Sequence, residues 1–369
     1  MRDAAPPSPA PSVSILIPAR NEDETLERCI RAALAQNYPN FELVVCDDDS
    51  TDATPRILER LAHEDARLRV VTRRGPPPAG WVGKNFALAT AARVAIGEWI
   101  LCVDADCVTS NGALRAAILR AEFPTDGVRR SLVSALPMIE CPDFANRLMM
   151  PTFGFWLSLA MPLHLVNDPA RREAIAAGGF LLLRRDALEA IGGYERLAPH
   201  IVEDALTARL VKASGRRIEV FIGRGSVTTR MYEGWRDLWE GITKNAFAGT
   251  DFRPAIAMTG VLAIVGFGVL PAAWTAAGLV LGALHGFGSS DTLTLGLFGF
   301  ATLVLIGLHV AIAAECKIPR IVAIAAPLGH LIFAAALAWS TFRGAYGGAF
   351  RGKGASTTGR GKMCRRTSC

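Results

Sequence analysis

The chain has 369 residues and a formal net charge of +6, but that charge is unevenly spread. Nearly all acidic residues precede Arg253, and residues 255–342 are almost uncharged. This excludes a uniformly soluble chain: the first two thirds read as a mixed-charge folded domain, the last third as membrane followed by a basic tail.

Residues 1–11 are rich in proline and alanine, lack the apolar stretch of a secretory signal, and are expected to form a disordered leader. From residue 12 short β-branched runs alternate with helical ones. Strands are expected at 13–18, 41–46, 68–72 and 99–103, and helices at 22–36, 52–61 and 83–95, where apolar residues recur at helical spacing. The segment 74–80 holds three consecutive prolines and is expected to be a loop. Such alternation predicts a mostly parallel α/β sheet covered by helices, with ligands gathering beyond the carboxyl ends of the strands. Three of these ends carry polar clusters: Pro18-Ala19-Arg20-Asn21-Glu22, Asp47-Asp48-Asp49 and Asp104-Ala105-Asp106. In a parallel sheet all three share one rim.

Asp104 and Asp106 are two residues apart. On an extended segment they share a face and can address one hard divalent cation, Mg2+ or Mn2+, or a cation-bound diphosphate. Asp47, Asp48 and Asp49 repel one another and need a stabilising partner: a base edge, a ribose or the helix start that Ser50 or Thr51 would cap. Lys84 follows Gly83 at a helix start, where it suits the phosphates or base of a nucleotide, although the surrounding residues are not a Walker A loop. Glu203 and Asp204 open another helical run, and a carboxylate there suits a general base.

Residues 145–166 are apolar but interrupted by Pro151, Gly154 and Pro162. They read as either a core helix or a helix lying against a bilayer. Short strands are expected at 218–222 and 226–229, and an amphipathic helix at 235–247. Membrane segments are expected at 255–284, 293–314 and 321–342, near the roughly 20 residues a span requires. Pro271 leaves the first as one kinked span or as two short halves, giving three spans or four. Three spans would separate the catalytic domain from the basic tail, 343–369, against the positive-inside bias; four would leave Lys317 and Arg320 outside. The tail suits anionic headgroups, and nucleic acid is not an expected partner. Eight cysteines form no CxxC pair and no zinc spacing, so they read as reduced thiols of a cytoplasmic domain.

Taken in order, residues 14–22, Asp47-Asp48-Asp49-Ser50-Thr51-Asp52, Gly83-Lys84-Asn85-Phe86-Ala87-Leu88, Asp104-Ala105-Asp106, Gly178-Gly179-Phe180, Leu182-Leu183-Arg184-Arg185, Ile191-Gly192-Gly193-Tyr194 and Glu203-Asp204 resemble the family 2 glycosyltransferases. The resemblance covers about residues 12–250. It implies a GT-A fold, a nucleotide-diphosphate sugar donor of UDP type and a divalent metal. Pro18, Arg20 and Glu22 fall in the donor-binding motif. Asp48, beside Asp47, would meet a uracil-type base, and Lys84 would lie in the nucleotide pocket. Asp104 would approach the ribose or sugar, Asp106 would ligate the metal, and Gly178 and Gly179 would let the chain pass close to a substrate. Asp204 would be the catalytic base with Glu203 beside it.

The loop before Lys84, the triplet Arg230-Met231-Tyr232 and the apolar C-terminal segments resemble the lipid-modifying branch, which includes hopanoid- and carotenoid-associated enzymes and ceramide glucosyltransferases. That implies inverting transfer to a membrane-lipid hydroxyl by a multi-pass inner-membrane protein with a cytoplasmic catalytic domain. The Gln-x-x-Arg-Trp type motif that polymer synthases and ceramide glucosyltransferases carry after the base is missing; only Arg230, Trp235-Arg236 and Trp239 stand in that region. A polysaccharide synthase is the alternative enzyme, and a non-catalytic membrane scaffold the alternative outside catalysis.

Overall fold

The computed structural model describes residues 9–250 and 252–346. Most of the expected leader and nearly all of the basic tail lie outside the described residues. Elements follow in chain order as β1 (Val13–Ala19), α1 (Leu26–Leu34), β2 (Phe41–Asp48), α2 (Thr54–Glu64), β3 (Leu68–Arg73), α3 (Gly83–Val94), β4 (Trp99–Cys102), β5 (Cys107–Thr109) and α4 (Ala113–Glu122). After these come β6 (Leu132–Leu136), β7 (Met138–Ile139), α5 (Phe144–Ala160), α6 (Leu163–Asn167), β8 (Leu181–Arg184), α7 (Arg185–Ala190), α8 (Gly193–Leu197) and α9 (Glu203–Ala213). The chain ends with β9 (Ile218–Ile222), β10 (Val227–Thr229), α10 (Gly234–Asn245), α11 (Pro254–Ala263), α12 (Leu270–His285), α13 (Ser289–Glu315) and α14 (Ala326–Tyr346).

Seven strands form the central sheet in the order β3-β2-β1-β4-β8-β6-β9. β3, β2, β1 and β4 are parallel neighbours, and only β8 runs against its partners β4 and β6. The strands are apolar runs because both sheet faces are covered. Ile15 and Ile17 of β1 pack into one layer with Leu26, Ile30 and Leu43, while Leu16 faces the other layer with Val44, Leu88 and Ile100. This alternation follows from the two-residue period of a strand. The adjacency of β2, β1 and β4 puts the three polar strand ends on one rim, as the sequence predicts.

A second sheet, β5-β10-β7, stands beside that rim. Its β5–β10 pairing sets Thr229 opposite Cys107, next to Asp106.

The expected helix at 22–36 begins four residues late. Asn21 takes φ +54°, and the Glu22 carbonyl receives the Leu26 N–H at 2.9 Å, so the preceding residues form the turn into α1. The apolar stretch at 145–166 is a helix that continues through Pro151 and stops before Pro162. It is capped by Asp143, whose carboxylate accepts the Asn146 N–H at 2.9 Å. The inner face of α5 joins α10, α11 and α14 in a third apolar cluster through Met149, Met150, Leu238, Ile242, Ala257, Phe333 and Leu337.

Residues Pro254–His285 form one continuous helix, so the reading of two short halves falls. A wide helical turn over Ile264–Val269 joins α11 to α12 just before Pro271, whose missing N–H favours such a bulge. Three helical segments, Pro254–His285, Asp291–Glu315 and Arg320–Ala345, are long and apolar enough to cross a membrane.

Candidate active site

The rim is built from strand ends held by short polar turns. Asp47 stands next to last in β2 and is 1% exposed; its Oδ1 accepts the Ser50 N–H at 3.1 Å, and Arg74 Nη1 stands 3.5 Å from Oδ2. Asp48 is gripped by the Arg73 guanidinium, with Arg20 Nη1 at 3.8 Å. Burial pushes the Asp48 carboxyl up, against the pull of Arg73. Arg20 Nε is buried without a hydrogen-bond partner. Pro18 stays inside β1, and the Glu22 carboxylate accepts from Thr25 Oγ1 at 2.9 Å, which ties it to the start of α1.

Asp104-Ala105-Asp106 is not extended. β4 ends at Cys102, and the Cys107 N–H donates to the Asp104 carbonyl at 3.0 Å, closing a turn. The expectation that the two carboxylates share a strand face is therefore corrected: the turn, not the pleat, sets their directions. Asp106 accepts from Thr229 Oγ1 at 2.9 Å and from Cys107 Sγ at 3.4 Å. Burial, then the neighbouring Asp104 charge, pushes the Asp106 carboxyl up.

Lys84 joins two parts of the site. Its Nζ lies 2.7 Å from Asp104 Oδ1 and 2.8 Å from Glu203 Oε1. Burial would lower an ammonium pKa, yet Asp104 and Glu203 hold it well above the usual lysine range. Glu203, 6% exposed, faces inward to this ion pair. Asp204, one residue on, accepts the Gly178 N–H at 2.8 Å and the Ala205 N–H at 2.7 Å. Burial and the Glu203 charge push the Asp204 carboxyl up to about 6.

Gly178 brings these groups together. A β-carbon there would meet Lys84 Nζ at 2.7 Å and Asp104 Oδ2 at 3.2 Å. At Gly179 one would meet Cys107 Sγ at 2.7 Å. Asn85, fully buried, donates to the carbonyls of Leu197 and His200 at 2.8 Å each, fixing α3 to the segment that leads into α9.

Sequence reasoning missed Arg73 and Thr229, the partners of Asp48 and Asp106. Arg73 ends a strand beside the acidic cluster, which was a usable signal. Thr229 had none, because its role depends on β10 pairing with β5 across a long sequence separation.

Residues 14–192 match the family described as Glycosyl transferase family 2. The chain carries a family 2 glycosyltransferase domain. The 4,4'-diaponeurosporenoate glycosyltransferase of Staphylococcus haemolyticus is 26% identical over 258 residues, covering 69% of this chain and 66% of that protein. A beta-monoglucosyldiacylglycerol synthase of Synechocystis is 29% identical over 215 residues, covering 55% and 40%. The chain thus spans just under two thirds of the first relative and less than half of the second. A mannosyltransferase from Pyrobaculum calidifontis, solved with GDP-Man and Mn2+, superposes with a TM-score of 0.53 at 20% identity over 93% of this chain and 90% of that one. It shares the fold of this glycosyltransferase domain.

The described residues contain no group of three or more His, Cys, Asp or Glu able to hold a metal. Asp106 and Asp104 are two hard oxygen donors at this rim, and the further partners of an ion held there would be donor phosphates and water. Such a set fits Mg2+ or Mn2+, which keep part of their hydration and bridge to phosphates. The raised Asp106 carboxyl fits as well, since a buried carboxylate beside a second one is relieved by a cation.

Proposed function

We propose that the chain transfers a sugar, with inversion, from a nucleotide-diphosphate sugar to a hydroxyl of a membrane lipid. The observation that carries this reading is the junction at Gly178, where the Asp204 carboxylate and the Lys84–Asp104 ion pair converge. A carboxylate with a pKa near 6 is poised to accept a proton at neutral pH. Asp204 takes the proton of the acceptor hydroxyl as its oxygen attacks the anomeric carbon, and the nucleoside diphosphate leaves from the opposite face. Lys84 and Glu203 position this junction and balance its charge.

Asp47 and Asp48, held by Arg74, Arg73 and Arg20, would receive the base of a UDP-type donor. The unpaired Arg20 Nε supports an anionic group arriving nearby. A divalent ion on Asp106, with Asp104 beside it, would supply positive charge to the diphosphate leaving group. The lipid acceptor is supported by the activities named for the two bacterial relatives and by the apolar helices joined to this domain. On this reading the protein is a multi-pass inner-membrane enzyme with its catalytic domain in the cytoplasm.

The test is to incubate membranes containing the protein with labelled nucleotide-sugars and identify labelled products by mass spectrometry, with and without a chelator. One sugar on a lipid, lost on chelation and restored by Mg2+ or Mn2+, is expected. Release of long sugar chains would replace this reading with polymer synthesis.

A further inference from the structure

The two acids of the Asp104–Asp106 turn are anchored from different directions. Asp104 is held by Lys84 at the start of α3, whose ammonium also serves Glu203. Asp106 is held by Thr229, whose Oγ1 donates to its Oδ2 at 2.9 Å. The other oxygen, Oδ1, takes only the Cys107 thiol at 3.4 Å, and a thiol is a weak donor.

A carboxylate on a turn needs such support. Asp106 lies between the end of β4 at Cys102 and the start of β5 at Cys107, so no regular element fixes its direction. Thr229 is the opposite case. β10 is the middle strand of the second sheet, paired with β5 on one edge and β7 on the other. Thr229 stands opposite Cys107, and its carbonyl accepts the Glu140 N–H at 2.8 Å. Val227, two residues earlier and on the same face, is buried in the layer that holds Val103, Ala105 and Cys107. Thr229 itself is 3% exposed, and its branched β-carbon restricts the side chain to few rotamers. The hydroxyl is thereby fixed in place beside Asp106. Packing does not call for it, since valine has nearly the same shape and suits a central strand as well.

We propose that Thr229 is a positioning residue for the divalent ion: by holding Oδ2 of Asp106 it presents Oδ1, the weakly bonded oxygen, to the cation. The proposal rests on the reading of Asp106 as the metal ligand. Without the hydroxyl the Asp106 carboxylate is free to turn on its side-chain bonds, and the like charge of Asp104 beside it favours turning away. Hydrogen-bonding partners of ligating groups typically contribute about 10–100-fold in metal affinity.

The test is Mn2+ binding to the full-length protein in detergent, read from the paramagnetic resonance of the free ion, with and without UDP. Thr229→Val is expected to weaken binding by about 10–100-fold. Thr229→Ser keeps the hydroxyl and should recover most of that loss. Thr228→Val, on the same strand but the opposite face, should bind Mn2+ like the parent. Thermal unfolding reads the fold separately, and Thr229→Ala should give the same loss of binding if the valine variant does not fold. In sugar transfer the Thr229→Val enzyme should need correspondingly more Mn2+ for half its maximal rate, with kcat at saturating ion close to that of the parent. Parent-like Mn2+ affinity in a folded Thr229→Val protein would overturn the proposal, as would an equal loss in Thr229→Ser. Failure of the parent itself to bind Mn2+ would remove the metal reading, and the role of Thr229 with it.

Discussion

Asp204 loses hydration between the Gly178 and Ala205 amides while the Glu203 charge stands beside it, and both effects disfavour its ionised form. A base must be ionised to act, so turnover should fall as the pH drops through about 6 and level off above it. Asp204→Asn should remove this limb together with roughly 10²–10⁴-fold of the rate, while nucleotide-sugar binding survives. A variant with near-normal turnover would reassign the base. Gly178→Ala asks a different question of the same junction. The added methyl meets the mobile end of Lys84, which can move aside, so Tm should hardly change. The Lys84–Asp104 pair cannot stay in place, however, and kcat should drop by about 10-fold or more, since small misplacements are costly. Unchanged kcat would show that this ion pair is not part of the reacting geometry.

At the scale of elements, Asn85 links α3 to the approach of α9 through bonds to Leu197 and His200. Asn85→Ala leaves those buried carbonyls without a donor, at a cost of about 1–3 kcal/mol, which thermal unfolding should register as a fall of several degrees. A Tm within one degree of the parent would show that water replaces the amide. Much at this scale was legible from sequence. β1 to β4 are apolar runs between helical periodicities, and their order of acidic ends placed the rim. The Asp104–Asp106 turn was misread because β4 stops one residue before Val103, and pattern alone cannot locate such an end. β6 and β8 carried no local signal of their place, since β8 inserts antiparallel between β4 and β6 from distant sequence. The same holds for Thr229, whose bond to Asp106 spans 123 positions.

For the whole molecule, the decisive fact is that one apolar cluster belongs jointly to the catalytic part and the C-terminal helices. Met149, Met150, Leu238 and Ile242 are buried because Ala257, Phe333, Ala334 and Leu337 cover them. Each such side chain contributes about 1.5–3 kcal/mol by leaving water. A chain ending at residue 250 would retain the two sheet-covering layers but expose this face of α5 and α10 together. Contiguous apolar surface of that kind drives aggregation or membrane adsorption. The shortened chain should therefore sediment with membranes or precipitate, and detergent should recover a folded monomer with nucleotide-sugar binding. If it remained a stable monomer in plain buffer, α14 would be only an attached anchor, not a structural part of the catalytic unit. The jointly buried cluster favours the first outcome, because losing several such contacts removes much of the roughly 5–15 kcal/mol by which a domain is stable.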